Sequence, residues 1–334
     1  MANLAPRPVR GRTDLFAEWF SALEAEGESM RFRLGRCDDQ RSHPTWHFLP
    51  HQDYDGIGGL AVVLRQLEGK SLDMPRLAEP YPSRARRWLA AARFALRRSH
   101  EAIPFRDFDD AWTGDPRQPT APSAYAWALL SESDTHELRQ AARSRGVSLN
   151  AWMLWSLTRA MLPHLQRDRG SVAWIVPVNM RGLRPELRDT ANQAATFDVA
   201  FPAGANVAQV DEALKREREA LAHFGVWQLL QLLEHLDPES IRRLAQRESR
   251  IKKHGSFSNL GSLRVSGSEF SPQSREFWMA FNPVIKSRPV GAACLTYEGR
   301  LALTLQLHPA LSRDESTAHA WLLAWLQALF GSAE

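Results

Sequence analysis

His51-Gln52-Asp53-Tyr54-Asp55-Gly56 is a His-x-x-x-Asp-Gly hexapeptide, and Thr45–Pro50 immediately before it reads as a strand. A histidine at a strand end can be held rigidly at the floor of a cleft, and imidazole is the side chain best suited to take a proton near neutral pH. His51 has two readings: a general base, or a histidine satisfied by its neighbours at a strand end. Asp55 also has two. It could be a second acid/base group, but the following Gly56 favours a tight turn braced by its carboxylate. A buried carboxylate of that kind needs a cationic partner, best an arginine. Asp53, between the two, reads as a solvated carboxylate.

Outward from the hexapeptide, Leu15, Phe16, Trp19, Phe20 and Leu23 recur at helical spacing, which predicts a helix over 13–26 with Thr13 as N-cap. Met30–Leu34 alternates like a strand. After Gly56, IGGLAVVLRQLEG predicts a buried helix closed by Gly69. Residues 70–83 read as a loop, 84–99 as a basic helix, and 101–123 as a Pro-, Asp- and Gly-rich linker. The second half predicts a strand over 123–130, helices over 134–145 and 148–164 with Ser148 capping the latter, and strands over 171–178 and 196–201. Helices over 208–223 and 225–249 follow, then strands over 256–265, 276–281, 290–297 and 301–307. Glu298-Gly299 makes a hairpin turn, and a last helix covers 314–329. The layout is mixed α/β (α+β), not a regular doubly wound parallel sheet.

The chain has 334 residues, 44% of them hydrophobic, with twelve Trp, which suits one large or two medium domains around substantial cores. A net charge of +4 with both signs mixed along the chain, and no aromatic–basic motif, gives no sign of a nucleic-acid binder. Cys37 and Cys294 are too far apart in sequence to suggest a disulfide framework or a zinc set, so a reducing cytoplasm is the expected setting. The first residues lack the apolar core of a secretory signal, and no apolar run is long enough for a spanning helix. His43, His47 and His51 recur every four residues, but on a strand neighbours would stand about 13 Å apart, too far to share a metal ion. Gly56-Ile57-Gly58-Gly59 lacks the spacing of a dinucleotide fingerprint and is expected to let the helix approach the sheet closely.

The hexapeptide resembles the signature of the CoA-dependent acyltransferase superfamily, which includes chloramphenicol acetyltransferase, wax ester synthases, polyketide-associated acyltransferases and condensation domains of peptide synthetases. Further matches follow in the expected order. Gly146–Leu157 is similar to the segment opening the family's long buried helix. Val176-Pro-Val-Asn-Met-Arg181 resembles the strand ending in the arginine that pairs with the motif aspartate, and Asn192 the asparagine after it. Phe257-Ser258-Asn259-Leu260-Gly261 resembles the late structural strand, and Pro289–Leu301 the closing hairpin. Departures are Pro50, where several branches carry a second histidine, and Ser-Asn-Leu-Gly in place of the plant branch's Asp-Phe-Gly-Trp-Gly. The resemblance implies a two-lobed, chloramphenicol acetyltransferase-like sandwich with a channel between an N-terminal lobe (1–118) and a C-terminal lobe (119–334). Fifty residues precede His51, fewer than in larger members, which implies a shortened N-terminal lobe.

By the same resemblance the chain is an acyltransferase moving an acyl group from a CoA or carrier-protein thioester to an alcohol or amine. His51 is the general base, Asp55 and Arg181 form a structural ion pair, and Ser258, Asn259 or Asn192 serve as oxyanion donors or channel lining. Acyl-CoA or a phosphopantetheine thioester is co-substrate, with no tightly bound cofactor and no metal. The competing reading is a non-catalytic condensation-like module that binds a carrier protein or another partner. Arg84, Arg86, Arg87, Arg93, Arg97 and Arg98 on the basic helix read as a solvated face, a carrier-protein dock, a CoA phosphate site, or an interfacial helix on anionic lipid without integral insertion.

Overall fold

The computed structural model describes residues 14–37, 43–96, 123–165, 170–266 and 276–331. In chain order the elements are α1 (Leu15–Glu24), β1 (Arg31–Cys37), β2 (Thr45–Pro50), α2 (Gly56–Glu68), β3 (Ser71–Leu72), α3 (Arg84–Leu96), β4 (Tyr125–Leu129), α4 (Glu132–Ser144), α5 (Leu149–Leu165) and β5 (Ser171–Asn179). They continue with β6 (Ala194–Pro202), α6 (Val207–Glu219), α7 (Ala222–Leu233), α8 (Pro238–Ser249), β7 (Gly255–Leu263), β8 (Val265–Ser266), β9 (Phe277–Phe281), β10 (Val290–Tyr297), β11 (Arg300–Leu307) and α9 (Glu315–Phe330).

Among the described residues the hexapeptide belongs to a three-stranded layer ordered β2-β1-β9. β1 and β2 pair antiparallel with Phe32 opposite Leu49, and β9 joins the other edge of β1 with Ala280 opposite Leu34. α2 lies on this layer. Its Gly59 has no side chain, and a Cβ there would stand 2.5 Å from Phe32 Cζ and 2.8 Å from Leu49 Cδ1, so the bare backbone permits the approach. Leu34, Leu60, Leu64 and Trp278 are fully buried between them. Gly69, with φ +64°, ends α2. Because β9 lies in the far end of the sequence, the small layer draws on both sides of residue 118.

The larger sheet is ordered β4-β11-β10-β7-β5-β6. β7 runs parallel to β10 and β5, and the other neighbours are antiparallel. Trp152, Trp174, Phe257 and Trp325 are fully buried in the core that joins one face of this sheet to α5 and α9. The β10–β11 turn places Glu298 and Gly299 at φ +49° and +82°, the twist that suits a two-residue hairpin. Ser148 Oγ accepts from the Ala151 amide at 3.2 Å and caps α5.

Several sequence expectations need correction. α1 is capped by Asp14, which accepts from the Ala17 amide at 3.1 Å; Thr13 lies outside the described residues. The helix expected over 225–249 is two helices. Asp237 caps α8 by accepting from the Ser240 amide, and Pro238 occupies its first turn, where no amide donor is needed. The expected loop 70–83 contains β3, which pairs with β8. The linker over 101–122 and Arg97 and Arg98 lie outside the described residues. No helix among the described residues is long and apolar enough to cross a membrane.

Candidate active site

His51 follows the last residue of β2, and its amide donates to the Met30 carbonyl at 3.1 Å. Its Nδ1 lies 2.9 Å from the Tyr54 carbonyl oxygen. A carbonyl only accepts, so Nδ1 carries the proton and Nε2 keeps its lone pair. Phe20 of α1 stacks on the imidazole at 5.3 Å with the planes 8° apart, and Phe32 meets it edge-on at 5.6 Å. Burial pushes the His51 pKa below its ordinary value. The Tyr54 carbonyl and the Asp55 charge favour imidazolium but do not overcome that penalty. The ring is therefore a neutral imidazole at neutral pH with one nitrogen able to accept a proton.

The turn after it is braced from the end of β5. Arg181 Nη2 donates to Asp55 Oδ1 at 2.6 Å, and both side chains are buried. Asp55 Oδ1 also accepts from the Gly58 amide at 2.9 Å and so caps α2, while Oδ2 accepts from the Gln193 amide at 2.9 Å. The rest of the guanidinium is taken up by the Asp189 and Ala191 carbonyls and Asn179 Oδ1. Asn192 Nδ2 donates to the His51 carbonyl at 2.8 Å, and its amide to the Asp53 carbonyl at 3.2 Å. His51 and Asp55 are thus held on one side by their own turn and on the other by residues 179–193. Gly56, the first residue of α2, faces Leu260, and a Cβ there would lie 2.8 Å from Leu260 Cδ2. Asp53, expected to be solvated, is half-buried, and burial and the Asp14 charge raise its pKa.

His51 borders a cavity of about 590 Å³. Its floor is one face of the larger sheet, where alternate residues of neighbouring strands point the same way: Ile175 and Pro177 of β5, Thr196 and Asp198 of β6, Ser256 and Ser258 of β7. Phe16, Trp19 and Phe20 of α1 supply an aromatic wall.

Trichothecene 15-O-acetyltransferase TRI3 from Fusarium sporotrichioides matches with a TM-score of 0.58 at 13% identity, over 97% of this chain and 75% of that one. The condensation domain of the monacolin K polyketide synthase MokA matches with a TM-score of 0.51 at 14% identity, over 86% and 68%. The epimerization domain from the third module of tyrocidine synthetase B gives 0.50 at 16%, also over 86% and 68%. The chain shares the two-lobed, chloramphenicol acetyltransferase-like fold of these structures. No protein-family model and no curated protein matches the sequence.

Within this two-lobed fold, three of the residues singled out in the sequence meet around the hexapeptide: Asp55, Arg181 and Asn192. Ser258 borders the same cavity, and its hydroxyl has no hydrogen-bond partner among the described residues. Asn259 lines the cavity too, but its carboxamide is already bonded. It belongs to the opposite side of β7, where Nδ2 donates to Asn150 of α5 at 2.6 Å and Oδ1 accepts from the Gly261 amide at 2.9 Å. That bond fixes a β-bulge: Cys294 faces Asn259 but Thr296 faces Ser262, so β7 holds one extra residue, with Gly261 at φ +81°. On α3, Arg84, Arg86 and Arg93 are exposed, whereas Arg87 turns inward to Gln228 Oε1 at 3.0 Å and to the Tyr81 hydroxyl. Sequence reasoning missed Phe20 as the imidazole's stacking partner. The aromatic residues of the α1 pattern were its only signal.

Proposed function

We propose that this chain transfers an acyl group from a CoA or carrier-protein phosphopantetheine thioester to an alcohol or amine, with His51 as general base. One observation carries the reading: a neutral imidazole, its tautomer set by the Tyr54 carbonyl, beside a cavity and on a turn fixed by a buried ion pair. The acceptor's hydroxyl or amine proton passes to His51 Nε2 as its oxygen or nitrogen attacks the thioester carbonyl. A tetrahedral oxyanion forms, and the Ser258 hydroxyl is the side chain suited to donate to it. As the C–S bond breaks, the imidazolium returns the proton to the thiolate. Every proton in this sequence moves between His51 and the reactants.

The Asp55–Arg181 bracket supplies rigidity, which general-base geometry requires. In this reading the cavity is the channel between the lobes. The exposed Arg84, Arg86 and Arg93 suit an acidic carrier-protein surface, with Arg87 removed from that set by its internal partners. A binding-only module would have no chemical use for a correctly protonated imidazole, which weighs against the non-catalytic reading.

The test is thioester consumption with a panel of acyl-CoA and acyl-carrier donors. His51→Ala should lower the rate about a hundredfold or more. Wild-type kcat/KM should rise with pH as imidazolium loses its proton, with an inflection below the ordinary histidine value of about 6.5 because burial lowers the His51 pKa. Identical rates for the two proteins would end the enzyme reading.

A further inference from the structure

The cavity that His51 borders has a second, charged region. Four residues along β6 from Ala194, about 13 Å of strand, Asp198 points into it, and its Oδ1 accepts from Lys253 Nζ at 2.5 Å. Arg288, in the turn between β9 and β10, borders the same space, its amide tied to the Ile285 carbonyl at 2.8 Å. Its guanidinium has no hydrogen bond or ion pair among the described residues. Nε is buried without a partner, and the residue borders the cavity. Asp198 attracts Arg288 through space, but its bonded partner is Lys253. Glu248, buried, borders the cavity as a second carboxylate.

A guanidinium withdrawn from water without an acceptor is unfavourable, and its planar fork of N–H donors matches a carboxylate in a bidentate pair. The carboxylates of this region leave Arg288 without a bonded acceptor, which a carboxylate brought by a ligand would supply. We propose that the Arg288 region is a subsite for a carboxylate carried by one of the two reactants, so that this chain works on an acidic acyl chain or an acidic acceptor. This assignment rests on reading the cavity as the place where the reactants meet. The cavity also has apolar lining, Phe16, Trp19 and Ile175 among it, which suits the hydrocarbon part of such a reactant.

Binding tests this independently of turnover. In isothermal titrations octanoate should bind about tenfold or more tighter than octanamide, the gain of a charge-assisted pair. Arg288→Gln should abolish the preference, and Arg288→Lys, which keeps the charge without the fork, should retain a reduced one. His51→Ala should leave it intact. Equal affinities in the wild type, no octanoate binding, or a preference surviving in Arg288→Gln would overturn the assignment. Turnover distinguishes the sources. An adipoyl-CoA preference over hexanoyl-CoA that Arg288→Gln removes places the carboxylate on the acyl chain. A preference for 6-hydroxyhexanoate over 1-hexanol that Arg288→Gln removes places it on the acceptor. Absence of all turnover with octanoate binding intact would sink acyl transfer and leave the carboxylate site standing.

Discussion

Asp55 accepts from Arg181, from the first turn of its own helix and from the Gln193 amide, so one carboxylate ties together three chain segments. Asp55→Asn would retain the shape but leave a buried guanidinium without its counter-charge and turn an acceptor into a donor facing other donors. The expected loss is about 3–5 kcal/mol of stability, read by urea denaturation of both proteins. A loss below about 1 kcal/mol would mean that the pair behaves like an exposed one. Much of this was legible in sequence: a carboxylate before glycine in a turn demands a cationic partner, and Arg181 closes a strand in the matching segment. The Asn259 carboxamide was not legible, because its side of the sheet depends on pairing with β10 and not on its neighbours in sequence. Arg288 carries no motif at all, and only the shape of the cavity singles it out.

At the scale of the element, α2 reaches the site because its first turn is nearly bare. A Cβ on Gly58 would overlap the Thr190 carbonyl and lie 2.9 Å from Arg181 Nη2, whereas one on Gly56 meets only the tip of the Leu260 side chain. Gly58→Ala should therefore destabilise by about 2–3 kcal/mol or more, and Gly56→Ala by clearly less, because a backbone carbonyl cannot move aside as a leucine methyl can. Denaturation midpoints of the two variants check the order, and equal losses would contradict it. The bulge in β7 acts at the same scale. Before it, even-numbered residues face the cavity; after it, odd-numbered Leu263 faces the small layer beside Tyr297. One strand thus serves both the reaction space and the core beneath α2. Gly261 was the available sequence signal for that switch, as Asp237-Pro238 was for the start of α8.

At the scale of the molecule, the small layer is completed by β9, so the expected boundary at residue 118 does not delimit a self-sufficient sheet. A fragment of residues 1–118 would lack the partner on one edge of β1 and leave Leu34 and Phe32 without Trp278 and Ala280. It should remain unfolded by circular dichroism and amide dispersion; a cooperatively folded fragment would refute this. Local periodicity announced β1, β2 and β9 as strands but could not announce that the first and last of them share a sheet, since pairing between distant segments is a property of the whole packing. The cluster of Arg36, Glu68, Lys70 and Glu276 joins the same distant segments and was equally invisible. α1 adds a last long-range tie, with Glu18 bound to Arg242 of α8 at 2.8 Å while Phe20 lies flat on His51. The proton affinity of the centre is thereby set in part by how the leading helix is seated, so two chains bearing the same hexapeptide under differently docked helices would differ in basicity.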